Sequence, residues 1–143
     1  MTDSIRREIV FPQSQADVWR ALTDSATLAD WLMPNDFEPR VGRRFTFRTQ
    51  PNPQAGFDGI VHCEVRECAP PNALEYSWAG GGIDTRVTYR LEPDGAGTRL
   101  FFEQSGFDIS QPWGDQALKG AEYGWSKMLE QLAGVVAGLG AHD

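Results

Sequence analysis

The C-terminal stretch from about Asp115 to Leu139 carries an apolar stripe that dictates what the rest of the chain must be. With side chains placed at ~100° intervals around a helix axis, Leu118, Ala121, Trp125, Met128, Leu129, Leu132, Val135, Val136 and Leu139 fall within an arc of roughly 120°. Lys119, Tyr123, Lys127, Glu130 and Gln131 lie outside it. A stripe this wide suits a helix docked along a sheet, whereas a coiled-coil seam is narrower. One long apolar face therefore requires one large apolar partner.

The preceding sequence supplies that partner as strands. Ile5 to Phe11 alternates, with Ile5, Ile9 and Phe11 on one face and Arg7 among them, until Pro12 ends the run. Ser14 followed by Asp17 forms an acidic capping box for a short helix to about Leu22, and a second helical piece runs from about Ser25 to Leu32 before Pro34. From Val41 the period changes to two. Phe45 and Phe47 point one way, then Val61, Cys63 and Val65 within Gly59 to Cys68, then Leu74, Tyr76 and Trp78. Thr85, Val87, Tyr89 and Leu91 follow within Asp84 to Leu91, and Leu100, Phe102 and Gln104 within Thr98 to Phe107. Turn-forming residues separate these runs: Pro51 to Gly56, Pro70 to Asn72, Gly80 to Gly82 and Asp94 to Gly97. Short connections imply an antiparallel meander, so the order reads strand, two short helices, about five strands and a long helix, an α+β arrangement with one dry sheet face.

The chain's 143 residues fit one domain that buries a core without metal or disulfide staples. Thirteen basic against twenty acidic residues give a net charge of -7, which repels phosphate backbones and argues against a nucleic-acid partner. Neither an apolar leader nor a membrane-length apolar run is present, so a cytoplasmic chain without membrane insertion is expected. Cys63 and Cys68, placed ~16 Å apart along one strand, are too distant for a disulfide and are expected to be free thiols.

Five segments resemble the START-like (SRPBCC) superfamily, in the branch similar to the C-terminal domain of the activator of Hsp90 ATPase. They are VWRALTDSATLADWLMP (Val18 to Pro34), VGRRF (Val41 to Phe45), LEYSW (Leu74 to Trp78), VTYRLEPDGAGTRLFFEQSGF (Val87 to Phe107) and GWSKMLEQL (Gly124 to Leu132). Their order spans nearly the whole chain. The resemblance implies a helix-grip fold, in which a curved antiparallel sheet of about six strands wraps the C-terminal helix and two short helices close one end. It further implies an elongated pocket between sheet and helix for a lipid, polyketide or other apolar molecule. A chaperone is the protein partner that the family name implies. The eukaryotic co-chaperone has a further N-terminal domain for which 143 residues leave no room, so stimulation of a chaperone ATPase is not expected. Gly42 is followed by Arg43 where many relatives carry a glycine pair, a departure that bears on the turn before the strand.

Convergent catalytic chemistry is hard to assemble from these residues. His62 sits on the wet face of its strand and His142 next to the C-terminus, so neither joins a triad or metal cluster. Cys63 points inward and reads as a small hydrophobe. Gly80 to Gly82 lacks the lysine and helix of a phosphate cradle. No cofactor is implied. Gln104 carries an amide into the apolar interior, where either a neighbour such as Tyr76 or a ligand must satisfy it. Arg7 reads as a surface charge, with Glu103 its partner if the strand phase slips.

Trp31, Phe47, Tyr76, Trp78, Tyr89, Phe102, Gln104, Phe107, Trp125 and Met128 are the candidate pocket residues; the same periods also serve plain core packing. The leading expectation is a noncatalytic module binding a small hydrophobic molecule. The alternatives are a stress- or chaperone-linked interaction protein and a cyclase-like enzyme, the last of which requires a general acid or base at the cavity.

Overall fold

Ser14 opens the first helix as its sequence position predicts: its Oγ accepts from the Asp17 N–H at 3.3 Å, and α1 runs Gln15–Thr23. Asp24 ends α1 and starts α2 (Ser25–Trp31) by accepting from the Thr27 N–H at 3.1 Å. These helices are too short to persist alone. The Trp31 indole N–H donates to the Ala21 carbonyl at 2.8 Å and ties one to the other.

The computed structural model describes residues 2–51, 53, 57–80, 83–108, 110 and 112–140. Asn52, Gln54, Ala55 and Gly56 of the first turn-rich loop, Gly81 and Gly82 of the glycine run, and His142 lie outside the described residues. The strands are β1 (Thr2–Phe11), β2 (Arg44–Arg48), β3 (Ile60–Ala69), β4 (Ala73–Gly80), β5 (Ile83–Asp94) and β6 (Gly97–Asp108), followed by α3 (Pro112–Gly140). They form a six-stranded antiparallel sheet in the order β1-β6-β5-β4-β3-β2. With two short helices after the first strand and a long C-terminal helix across the sheet, the architecture is the helix-grip fold.

Side-chain alternation survives from strand to strand because only one face is covered. Phe45, Phe47, Val61, Cys63, Val65, Leu74, Tyr76, Trp78, Val87, Tyr89, Leu91, Leu100 and Phe102 are all buried, while Arg44, His62, Arg66, Arg86 and Arg90 are exposed on the other face. From α3, Leu118, Trp125, Leu129, Leu132 and Val136 are buried, and Ala121, Met128, Val135 and Leu139 pack partly against the same core. The stripe read from the sequence is the docked face.

Ring contacts carry this core across the sheet. Phe45 and Phe47 lie 5.3 Å apart, Phe47 and Trp78 5.3 Å, and Trp78 and Trp125 5.3 Å between centroids. Trp125 closes the series on Phe102 at 4.4 Å. Phe37, in the loop before β2, adds an edge contact to Phe45 at 5.0 Å.

The structure corrects the sequence expectations at a few points. β1 begins at Thr2 rather than Ile5, and α3 at Pro112 rather than Asp115. β2 begins at Arg44 rather than Val41, because Gly42 has φ +88° and turns the chain, leaving Val41 exposed. Backbone bonds dock that turn on β3, Gly42 N–H to the Val65 carbonyl at 2.8 Å and Val65 N–H to the Arg43 carbonyl at 2.9 Å. In β6, Ser105 pairs with Ser4 and Phe107 with Asp3, so Gly106 at φ +102° is an extra residue. This bulge shifts the alternation, which brings both Gln104 and Phe107 inward. Glu103 stands opposite Arg6, not Arg7, and accepts from Arg6 Nε at 2.7 Å. Arg7 instead lies 4.0 Å from Glu122 of α3.

Among the described residues no helix is long and apolar enough to cross a membrane. Aromatic and aliphatic burial under α3 contributes on the order of 10 kcal/mol, comparable to the whole net stability of a domain. A chain truncated at Gly114 is therefore expected to lose its cooperative thermal transition by circular dichroism, and a truncated chain that melts cooperatively would refute this dependence.

Candidate functional site

The docked face of α3 changes character along its length. Leu118 and, from Trp125 onward, further large side chains reach the sheet, but the flank beside Leu118 carries only Ala117, Gly120, Ala121 and Gly124, spaced three, one and three residues apart. Side chains this small leave a gap over the sheet. A Cβ built on Gly120 would meet nothing within 4 Å, and one on Gly124 would meet only Met128 Cε at 3.9 Å.

The gap is an open cavity of about 450 Å³, within the usual range for small-molecule sites. The helix side is Ala117, Gly120, Ala121, Gly124, Trp125 and Met128. Val61, Trp78, Gly80, Ile83 and Gln104 form the sheet side, and Met33, Thr49 and Phe57 come from the adjoining loops. Among these lining residues none is titratable.

One polar chain crosses this apolar surface. The Trp125 indole N–H donates to Gln104 Oε1 at 2.6 Å, Gln104 Nε2 donates to Thr85 Oγ1 at 2.9 Å, and the Thr85 hydroxyl donates to the Trp78 carbonyl at 2.9 Å. An indole nitrogen can only donate, so the amide oxygen must face Trp125 and the amide nitrogen Thr85. Gln104 and Thr85 are 0 % and 2 % exposed, so each of these bonds offsets a desolvation cost. Tyr76 is not the partner of Gln104. Its hydroxyl pairs instead with the Tyr89 hydroxyl at 2.9 Å, deeper in the core.

Of the ten candidate pocket residues, Trp78, Gln104, Trp125 and Met128 line the cavity. Trp31, Phe47, Tyr76, Tyr89, Phe102 and Phe107 are buried elsewhere in the core and do not line it. Trp31 faces α1, and Phe47 and Phe102 pack behind Trp78 and Trp125. The sequence pattern missed Met33 and Phe57, which come from segments without a clear period, and Ile83, which lies one residue before the strand expected from Asp84 and in fact begins β5. It also passed over Gly120 and Gly124, whose signal is the run of small residues on an otherwise bulky stripe.

Reactive groups are held inert. Burial raises the Cys63 thiol well above its usual range, with a contribution from the Asp36 charge, and burial also raises Cys68. Both cysteines are free. Burial keeps the Tyr76 and Tyr89 phenols protonated; Tyr89 pushes Tyr76 further up, while the bond with Tyr76 partly offsets the rise at Tyr89. Among the described residues no cluster of three or more histidine, cysteine or acidic side chains could hold a metal.

A second groove of about 410 Å³ lies on the outer sheet face around Phe101 and Thr88. Its charged rim is largely self-paired, Arg6 with Glu103 at 2.7 Å and Glu8 with Arg99 at 2.7 Å. It offers a small molecule far less apolar enclosure than the cavity under α3.

The bond between Trp125 and Gln104 should be energetically coupled. Gln104→Leu is expected to lower unfolding free energy in urea by about 1–3 kcal/mol, because it strands a buried indole N–H. Combined with Trp125→Phe, the loss should fall short of the sum of the single losses; strict additivity would contradict the coupling.

Comparison with known proteins comes down on the same architecture. The family described as activator of Hsp90 ATPase homolog 1-like protein matches residues 13–137. The crystal structure of MLL2253 from Mesorhizobium loti is 32% identical, with 94% of this chain and 97% of that chain covered and a TM-score of 0.83. CalU16 from Micromonospora echinospora is 25% identical, with 94% and 75% covered and a TM-score of 0.73. The Aha1 dimer from Colwellia psychrerythraea, 19% identical over 94% of this chain and 96% of that chain at a TM-score of 0.77, shares the fold. Among curated proteins none matches the chain.

Proposed function

The chain belongs to the family of activator of Hsp90 ATPase homolog 1-like proteins, within the START-like superfamily, and from that premise we propose that it binds a small hydrophobic molecule under the first half of α3. The observation that carries this reading is the cavity of about 450 Å³ whose wall has aromatic, aliphatic and small residues and no titratable group among those described. Apolar ligand sites are built this way, with a few placed polar groups to orient the guest. Trp78, Trp125 and Phe57 supply ring surface, Met33 and Met128 supply adaptable contacts, and Gln104 is the fixed polar point.

A cyclase-like enzyme needs a general acid or base within hydrogen-bond reach of its substrate. The wall described above favours binding over such catalysis. A chaperone-linked role would rest on a contiguous exposed apolar patch. The large exposed apolar side chains among the described residues are Val10, Val41, Phe101 and Tyr123. Val10 and Phe101 are diagonal neighbours on β1 and β6, while Val41 and Tyr123 lie on separate segments. Pocket binding therefore draws on more of the surface chemistry than partner docking does.

Filling the cavity tests the proposal. The neutral dye N-phenyl-1-naphthylamine should brighten on binding the wild-type protein, and Gly124→Leu should weaken that binding by about tenfold or more through overpacking. The same variant should melt no lower than wild type, since replacing a helical glycine contributes about 1 kcal/mol. Unchanged dye affinity in a folded variant would contradict the site. Failure of the wild-type protein to retain any member of a lipid and aromatic library in native mass spectrometry would contradict the function.

A further inference from the structure

The edges of the sheet are β1 and β2, and they end differently. The segment before β2 seals that edge: the Asp36 carboxylate accepts from the Thr46 N–H at 2.6 Å, the Pro34 carbonyl accepts from the Arg48 N–H at 3.0 Å, and Asn35 bridges to Phe47. At β1 the register shows which backbone groups face outward. Asp94 and Gly97 close the β5–β6 hairpin around Gly95 and Ala96, and such a closing pair is hydrogen-bonded, so bonded pairs alternate from there. Leu100, Phe102 and Gln104 therefore turn their backbone groups toward β1, where they meet Ile9, Arg7 and Ile5. The N–H and C=O of Arg6, Glu8 and Val10 point the other way, in keeping with the Arg6 carbonyl accepting from Arg7 Nη1 at 2.8 Å. Among the described residues the backbone groups of Glu8 and Val10 have no partner on that side.

Space is left beside this edge. On the inner side α3 stops short of it, leaving an open groove of about 330 Å³ between Arg7 and Ile9 of β1 and Leu129 and Ala133 of α3. Val10 is 56 % exposed at the edge itself. An open edge is a template for strand pairing, and charged side chains normally block it. Here the charges admit one partner. The run Ile5-Arg6-Arg7-Glu8-Ile9 is nearly complementary to its own reverse about Arg7. Antiparallel pairing of two copies on that axis sets Arg6 opposite Glu8 of the second copy, and Glu8 opposite its Arg6, at the positions whose backbone groups face outward. Ile5 and Ile9 become cross-strand neighbours on the inner face, and Val10 is covered by Ser4. Arg7 meets the second Arg7, but each lies 4.0 Å from Glu122 of its own α3, which supplies a counter-charge. Sliding the register by two residues either way puts Arg6 on Arg6 or Glu8 on Glu8, and like charges directly opposite are destabilising.

We propose that this chain forms an isologous homodimer through β1, joining two six-stranded sheets into one continuous antiparallel sheet whose register is selected by the Arg6 and Glu8 pairs. Within one chain Arg6 and Glu8 already pair with Glu103 and Arg99 of β6, so the contacts between copies lengthen charge ladders that exist in each. One strand pair and its flanks make a small interface, which places the dissociation constant at about 10–100 μM. The cavity under α3 takes no residue from β1, so dimerisation is independent of pocket binding.

Sedimentation equilibrium between about 1 and 500 μM is expected to show the mass rising from 15.9 kDa toward twice that value. Glu8→Pro removes an outward N–H and leaves the β1–β6 ladder whole, at a kind of position where edge strands tolerate proline. It should weaken association by about tenfold or more while the melting transition stays cooperative. Exchanging charges tests the register. Glu8→Arg and Arg6→Glu each set like charges opposite one another in their own homodimers and should stay monomeric over this range. An equimolar mixture of the two chains restores unlike pairs throughout and should associate as wild type does. Exposed ion pairs contribute little to the stability of the fold, so both variants are expected to fold. A wild-type chain that remains monomeric, a folded Glu8→Pro chain that dimerises unchanged, or a mixture no better associated than either variant alone would each overturn the proposal. If Glu8→Pro does not fold, the mixture decides.

Discussion

The structure depends on one contact surface, the apolar stripe of α3 laid across the inner face of the sheet. Neither side is stable by itself, since α1 and α2 cover only one end and the sheet's inner face is a continuous run of rings from Phe45 to Phe102. Trp125 is the centre of that contact, touching Trp78 and Phe102 and donating to Gln104. C-terminal to it Met128 still borders the cavity, while Leu129, Leu132 and Val136 are buried against the core. N-terminal to it Leu118 continues the buried stripe, but the flank beside it is Ala117, Gly120, Ala121 and Gly124, and there packing opens. A single helix therefore does two jobs, holding the core with one half and roofing a cavity with the other.

Those roles place opposing demands on composition. A roof of glycine and alanine provides volume, but helical glycine is less stable than alanine by about 1 kcal/mol per residue. The C-terminal half of the stripe offsets this with aliphatic burial, and the polar chain from Trp125 to Trp78 fixes where the two halves meet. A buried amide in this position specifies one arrangement of Trp125 against the sheet, since any other rotamer would leave an indole donor and an amide oxygen unpaired.

Much of this is legible in the residues themselves. Period-two alternation identified the inward positions of β2 to β6 because the other face is solvated, and the α3 stripe was visible for the same reason. Gln104 stood out because an amide in phase with Leu100 and Phe102 must be buried. Its partner was not legible: Thr85 lies on the neighbouring strand, and which of several inward polar groups an amide reaches depends on sheet register and rotamer. Phe107 is inward for a reason alternation does not carry, the extra residue at Gly106. The cavity itself was the least legible feature. Trp78 and Trp125 line it while Tyr76 and Phe102, at the same periods, do not, because the opening is set by what α3 lacks opposite them.

The most direct measurement is an amide and indole ¹H–¹⁵N correlation spectrum of the protein titrated with N-phenyl-1-naphthylamine. Five tryptophans give five resolvable indole N–H signals. If the space beneath the first half of α3 is the binding site, the Trp125 and Trp78 indole signals and the backbone amides of Gly120 and Gly124 move with the dye, while the Trp31 indole, bonded to the Ala21 carbonyl and not part of the cavity wall, moves least. Stationary Trp125 and Trp78 signals at saturating dye, or shifts gathered around Phe101 on the outer sheet face, would contradict it.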